Sequence, residues 1–272
     1  MNTREKQSEL QRILKEAGSA AIAFSGGVDS TYLLKEAHEV LKDRMIAYTA
    51  ESPFFPSWEN AEAIAFCKKE GIPHKLLKFD ILSVKGVAAN PSDRCYLCKH
   101  ALFTALKNQA EADGFACVME GTNLDDLGDY RPGLKALAEL GICSPLKEAG
   151  LRKQDIRTLS EGLNLPTWNK PSFACLASRI SYGEEITEEK LHMVEAGETF
   201  LLQNGFTQVR VRVHGSLARI EVLPEEMDRF QDETLRRETI AVLKKAGFRY
   251  VSLDLEGFQS GSMNRVLKRT VC

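Results

Sequence analysis

The sequence predicts a doubly wound α/β domain on a parallel sheet, followed by a smaller C-terminal α+β domain. Three observations predict it. An almost unbroken apolar run at 20–24 leads into a glycine turn at 25–30 and then into apolar residues at helical spacing over 31–41. Strand-like runs then alternate with helical stretches as far as residue 120, as in sheets covered by crossover helices. From about Glu184 the order changes to helix, two alternating strands, helix and strand, which describes an appended α+β unit. The expected domains are 1–170 and 171–272.

Taken in order, residues 5–17 form an amphipathic helix and 45–50 the second strand. Ser57 reads as the N-cap of a helix that Gly71 and Pro73 end. Strands follow at 74–79 and 116–120, joined by a long connection whose 82–99 portion carries candidate chemistry. The Gly-, Asn- and Asp-rich stretch 121–136 reads as a loop at a strand's carboxyl end. A helix is expected at 145–163, a linker at 164–171, helices at 186–202 and 224–246, and strands at 208–213, 217–222 and 248–255.

The turn Ser25-Gly26-Gly27-Val28-Asp29-Ser30 carries the clearest chemistry. A tight turn between buried strand and helix aims several N–H groups at one point, where the helix dipole also favours an anion. Gly26 and Gly27 let a phosphate approach the main chain. Ser25 and Ser30 add hydroxyl donors. Asp29 would repel a bare phosphate, so it implies a Mg²⁺ shared with phosphates. Neither the Walker pattern nor the dinucleotide fingerprint fits. Downstream, Gly121 ends the fourth strand and joins the ATP-binding candidates, and Asn123, Asp125 and Asp126 are candidates for magnesium or ribose hydroxyls, against the alternative of a solvated acidic turn.

The hexapeptide resembles the PP-loop of the ATP pyrophosphatases, SGGxDS. That resemblance implies ATP bound with its pyrophosphate in the loop and an oxygen activated by adenylylation.

Cys95 and Cys98 form a CxxC, with Cys175 far downstream. Spacing alone leaves a zinc pair, a redox pair and an iron–sulfur pair open, with His100 and Cys143 as further ligand candidates. Alongside the PP-loop resemblance, three thiolates suit a [4Fe–4S] cluster with one open iron, because ATP activation followed by attack of sulfur recurs in that family. Cys67, Cys117 and Cys143 read as packing residues, and Cys272 is terminal. On 209–214, alternation places Arg210, Arg212 and His214 on one strand face. Two forked guanidiniums suit a phosphate; pairing with acids such as Glu221 is the equal alternative.

The segments SGGVDS, GTNLDDLGDYRPGLKA, NKPSFACLASRISYG, VRVRVHGSLARIE and GFRYVSLDLEGFQSG together resemble the LarE family over nearly the whole chain. These are the pyridinium-3,5-biscarboxylate mononucleotide sulfurtransferases of nickel-pincer nucleotide synthesis, the cofactor of lactate racemase. The resemblance implies that ATP adenylylates a substrate carboxylate and that sulfur then displaces AMP. It implies a substrate-phosphate clamp of Arg210 and Arg212 with Ser178 nearby, and metal or active-site roles for Glu198, Glu221 and Asp228. The position of the sacrificial cysteine in the best-known branch aligns with Ala174, one step before Cys175. The chain therefore resembles the three-cysteine branch, with Arg94, Lys99 and Arg179 flanking the cysteines to offset negative charge.

Composition bounds the partners. The chain is 43% hydrophobic and 27% charged with a formal net charge of -2, so nothing draws it generally to nucleic acid. No apolar stretch has transmembrane length, and the first residues read as a charged helix rather than a signal peptide. The expectation is a cytoplasmic enzyme taking a small nucleotide and a sulfide source. By resemblance it is a homo-oligomer, a hexamer, that binds no membrane. The alternatives are a tRNA thiolase, an ammonia-using ligase and a non-catalytic nucleotide-binding module.

Overall fold

Four parallel strands make the larger sheet of the computed structural model, which describes residues 1–128, 132–259 and 261. β1 (Ala20–Ala23), β2 (Met45–Glu51), β3 (His74–Lys78) and β4 (Val118–Met119) stand in the order β3-β2-β1-β4. The chain steps outward from β1 to β3, then returns to place β4 on the other side of β1. That reversal leaves a crevice at the carboxyl ends of β1 and β4, the place where such sheets bind ligands. Cys143 extends the sheet by a parallel bridge to Met119.

Among the described residues, the helices that accompany this sheet are α1 (Thr3–Ala17), α2 (Val28–Leu41), α3 (Ser57–Glu70), α4 (Arg94–Ala112), α5 (Pro132–Glu139), α6 (Pro145–Glu148) and α7 (Lys153–Gly162). Alternation along β1 sends Ala20 and Ile22 to one face and Ala21 to the other. On the first face they meet Leu10 and Leu14 of α1, Tyr32 to Leu34 of α2 and Ile156 of α7. On the second, Ala21 meets Phe103, Leu106 and Ala110 of α4. Both faces are covered, as a doubly wound parallel sheet requires.

Several boundaries differ from the sequence expectation, each for a local reason. α1 starts earlier because Asn2 and Glu5 form a reciprocal capping box. Ser57 is the first residue of α3, and Pro56 stands at the cap. The expected helix 145–163 is two helices, separated at Gly150 with φ +72°. The 82–99 connection ends in α4, so the CxxC is helical. The expected loop 121–136 contains a 3-10 turn, Leu124–Gly128, and the start of α5; its residues 129–131 lie outside the described residues, as does Cys272.

The chain divides into two compact units: Met1–Val84 with Cys95–Phe173, and Lys85–Arg94 with the chain from Ala174 onward. The second unit holds α8 (Glu188–Gln203), β5 (Val209–His214), β6 (Leu217–Val222), α9 (Glu233–Ala246) and β7 (Tyr250–Leu253). Its strands run β5-β6-β7, the first pair antiparallel and the second parallel. α8 lies so close that a Cβ on Gly197 would meet Leu243 of α9 at 2.5 Å and Val211 of β5 at 3.2 Å. The expected helix 224–246 is a 3-10 stretch, Pro224–Gln231, followed by α9, because Asp232 caps the N–H of Leu235. Lys85–Arg94 joins this unit through long-range bonds: Ile186 N–H to Ala88 O at 2.8 Å and Gly183 N–H to Asn90 O at 2.9 Å. Among the described residues, no helix is long and apolar enough to cross a membrane.

Candidate active site

The glycine turn sits where the topology puts it, between β1 and α2 at the crevice. Gly26 takes φ +69°, and Gly27 caps α2 in extended conformation without a side-chain bond, so the first N–H groups of α2 face outward. Ser30 Oγ donates to Gly27 O at 3.2 Å and lies 3.0 Å from Ser25 Oγ, while Ser25 N–H reaches Ser30 Oγ at 3.3 Å. These bonds tie the two hydroxyls to the turn. Val28 is buried beneath it. Gly121, just after β4, closes the crevice: a Cβ there would come within 3.0 Å of Ser30 N and 3.2 Å of the Asp29 carbonyl carbon.

Asp29 opens α2 and accepts from Lys153 Nζ at 2.5 Å and from Asn123 Nδ2 at 3.3 Å. Asn123 and Asp29 therefore meet. Asp125 does something else. It accepts from Lys153 N–H at 2.9 Å and Arg152 Nη1 at 2.5 Å, which fixes the start of α7. Those bonds, the backbone N–H first, hold its carboxyl below the ordinary value. Asp126 accepts from Asn123 N–H at 2.9 Å.

Two residues outside the sequence reading belong to this edge. Lys153 neutralises Asp29. Lys170 donates to Gly26 O at 3.1 Å and to Glu62 at 2.7 Å, and its ammonium lies 5.2 Å from the Trp58 ring. Both lysines arrive from more than a hundred residues away, with no spacing to betray them.

The second unit presents a buried charge cluster. Arg179 forms a fork on Glu198 at 2.8 and 2.7 Å, and its Nη1 donates to Ala174 O, Cys175 O and Ser178 Oγ at 2.5, 2.9 and 2.9 Å. Glu198 also accepts from Val211 N–H at 2.8 Å, fastening α8 to β5. Arg212 forks onto Glu221 at 3.0 and 2.8 Å and donates to Ser178 O at 2.8 Å. Arg210 donates to Val209 O at 2.7 Å with its guanidinium 5.0 Å over Phe258; burial, then the neighbouring Arg179, push it below its ordinary value. Arg94 donates to Asn90 Oδ1 at 2.6 Å and Ala177 O at 3.0 Å. Among the described residues of this unit, four arginines are buried against two glutamates. His214 stands apart, exposed at the end of β5 beside Arg219 Nε at 3.1 Å.

The expected metal sets fare differently. Magnesium fits at Asp29, since that ion is commonly held by one or two carboxylates together with substrate phosphates. Glu198, Glu221 and Asp228 are not brought together as ligands. Two of them carry arginines, and Asp228 is exposed and accepts from Gln231 at 3.0 Å. Cys95 and Cys98 share the first turn of α4, three residues apart on one face. Lys99 packs its stem on α5, where a Cβ on Gly133 would touch its Cδ at 2.7 Å. Cys175 precedes a 3-10 turn, Leu176–Arg179, in the second unit. Among the described residues no three His, Cys, Asp or Glu side chains converge on a metal position.

Comparison with known proteins bears on this geometry. The chain is 39% identical over 269 residues to the pyridinium-3,5-bisthiocarboxylic acid mononucleotide synthase of Lactiplantibacillus plantarum, covering 97% of this chain and 95% of that one. The chain belongs to that synthase's family. The chain is of the LarE type, and an uncharacterized protein of Synechocystis, slr1717, is 44% identical to it over 264 residues, covering 97% and 98% of the two chains. A component of the glutamine-hydrolyzing GMP synthase of Thermoplasma volcanium is 26% identical over 195 residues, 66% of this chain and 62% of its own, a likeness that fits the PP-loop superfamily. No family model matches the chain.

Proposed function

We propose that the protein is an ATP-dependent sulfur transferase. It adenylylates a carboxylate of pyridinium-3,5-biscarboxylate mononucleotide and replaces an oxygen by sulfur, in the synthesis of the nickel-pincer nucleotide. The observation that carries this reading is the Ser25–Ser30 turn at the sheet's reversal point, in a chain that matches the bisthiocarboxylic acid mononucleotide synthase over nearly its full length.

On this reading the N–H groups of 26–30 and the hydroxyls of Ser25 and Ser30 receive the pyrophosphate of ATP. Magnesium, held by Asp29, supplies charge neutralisation on the phosphates. Lys153 is then freed from Asp29 to face phosphate oxygens, and Lys170 steadies the Gly26 peptide. Asn123 and Gly121 complete the edge. The substrate carboxylate attacks the α-phosphorus, the bond to the β-phosphate breaks, and PPi leaves. A sulfur nucleophile adds at the acyl carbon of the acyl-adenylate, and AMP departs with the former carboxylate oxygen.

Arg210 and Arg212, with Ser178, are assigned to the mononucleotide phosphate, and His214 to the outer edge of the same strand. The nearness of these guanidiniums on and beside β5 supports this, because forked N–H donors match the geometry of a phosphate. Sulfur handling is assigned to Cys95, Cys98 and Cys175, with Arg94, Lys99 and Arg179 as flanking cations and a [4Fe–4S] cluster as the proposed loaded state. Anaerobic metal analysis tests that state: about four irons per chain are expected, and an active, zinc-loaded, colourless protein contradicts it. A homo-oligomer, a hexamer assembled through the second unit, is the proposed quaternary state, to be read by light scattering. A cytoplasmic location completes the proposal.

The test of the function is product identity. Anaerobic incubation with ATP, magnesium, sulfide and the biscarboxylate mononucleotide is expected to release PPi and AMP only when the mononucleotide is present. Release of ADP and phosphate, or substrate-independent PPi, overturns the reading.

A further inference from the structure

Two cysteines assigned to packing lie together. Cys117, one residue before β4, and Cys143, on the bridge to Met119, place their sulfurs 3.6 Å apart, with Cys117 Sγ donating to Cys143 Sγ. The segments carrying them are locked in register: Cys143 N–H donates to Val118 O at 2.9 Å, Glu120 N–H to Cys143 O at 3.0 Å, and Ala21 N–H to Cys117 O at 2.8 Å. Both thiols are partly exposed, unlike Cys67, which is buried in the core with its thiol pushed up to about 12. The Cys117 hydrogen bond brings the Cys143 thiol down to about 7, against burial and the Glu148 carboxylate, which both act the other way, while Cys117 itself is held protonated. A thiolate beside a protonated thiol, within van der Waals contact and in reach of solvent, is the arrangement in which exchange starts at one sulfur and finishes at the other.

We propose that Cys117 and Cys143 form a site of reversible thiol–disulfide exchange whose oxidant is a small-molecule disulfide. Cys143 thiolate attacks one sulfur of the small disulfide, giving a mixed disulfide and expelling one small thiolate. Cys117 then loses its proton to that base and attacks the Cys143 sulfur, expelling the second small thiolate. Two protein thiols are oxidised and one small disulfide is reduced to two thiols. The sulfurs must close from 3.6 Å to about the 2.05 Å of a disulfide, a movement that side-chain rotation supplies. The loop so closed contains Gly121, Asn123, Asp125 and Asp126, so oxidation constrains the strand end that closes against the phosphate turn.

The experiment exposes the native full-length protein to glutathione disulfide, alkylates it and digests it with trypsin without reduction. The expected result is a cross-link between peptides 108–135 and 136–147, loss of two hydrogens from the intact mass, and a thermal midpoint a few degrees higher. All three should be reversed by dithiothreitol. In Cys117→Ser, Cys143 should instead remain as a stable glutathione adduct. The proposal is overturned if both thiols in the wild-type protein are recovered alkylated, or carry glutathione without joining. It is equally overturned if either pairs with another cysteine, or if the cross-link lowers the midpoint. The wild-type peptide map decides the matter even where the variant does not fold.

Discussion

The phosphate turn of the first unit and the arginine cluster of the second are both suited to anions, and they are built in opposite ways. The turn works with main-chain N–H groups and hydroxyls; its nearest charges, Asp29 and Lys153, neutralise each other at 2.5 Å. The cluster works with buried guanidiniums, each already bonded inside the fold. Main-chain groups cannot be removed by substitution and hold no net charge before ligand arrives. Buried arginines bring charge at a desolvation cost, so they must also serve as structure. The difference teaches that damage to the turn should appear in catalysis, whereas damage to the cluster should appear in catalysis and stability together.

The sharpest test of that contrast is Asp29→Ala, expected to lower PPi release by about a hundredfold or more while leaving the thermal midpoint nearly unchanged; unchanged release would place the chemistry elsewhere. Arg212→Ala should lose binding and fold together. It leaves Glu221, with a side chain only 1% exposed, dependent on Arg219 at 3.2 Å, and a destabilisation of about 3 kcal/mol is expected from breaking such a pair. A variant with raised KM and unaltered stability would break the comparison. Gly121→Ala should reduce kcat roughly tenfold by pressing a Cβ on Ser30 N and Asp29, with little change in far-ultraviolet circular dichroism. Lys170→Met should raise the KM for ATP by a factor of several if the ammonium steadies the Gly26 peptide.

The smallest effect concerns pH. The folded pKa of Asp125 is lowered, so its stabilising contribution is present above the unfolded carboxylate value and is lost as pH falls through the lower folded one. Thermal midpoints of wild type and Asp125→Asn should therefore differ slightly at neutral pH and converge in strong acid. Parallel curves across the whole range would show that the Lys153 and Arg152 contacts do not set that pKa.

How much was legible follows the same division. The parallel sheet, the turn and the loop after β4 at its edge follow from local patterns: an apolar run, two glycines, a helical period and a strand end. The roles of Arg179, Arg210 and Arg212 do not, because strand alternation says which side a residue faces but not what meets it. Arg212 pairs diagonally with Glu221, across a register in which Arg210 stands opposite that glutamate. Lys153, Lys170 and the recruitment of Lys85–Arg94 depend on tertiary return of distant chain, which no short-range period encodes. The Cys117–Cys143 pair escaped for the same reason: the two thiols meet through a bridge from outside the named strands. Helix ends moved where capping by Asn2 and Asp232 outweighed the apolar pattern.

The central claim, that the turn directs ATP to adenylylate a substrate carboxylate, is tested most directly by oxygen isotope transfer. With both carboxylates of the substrate labelled with heavy oxygen, the account predicts that each turnover leaves one heavy oxygen in AMP and none in PPi. Heavy oxygen recovered in inorganic phosphate alongside ADP, or unlabelled AMP, would contradict it.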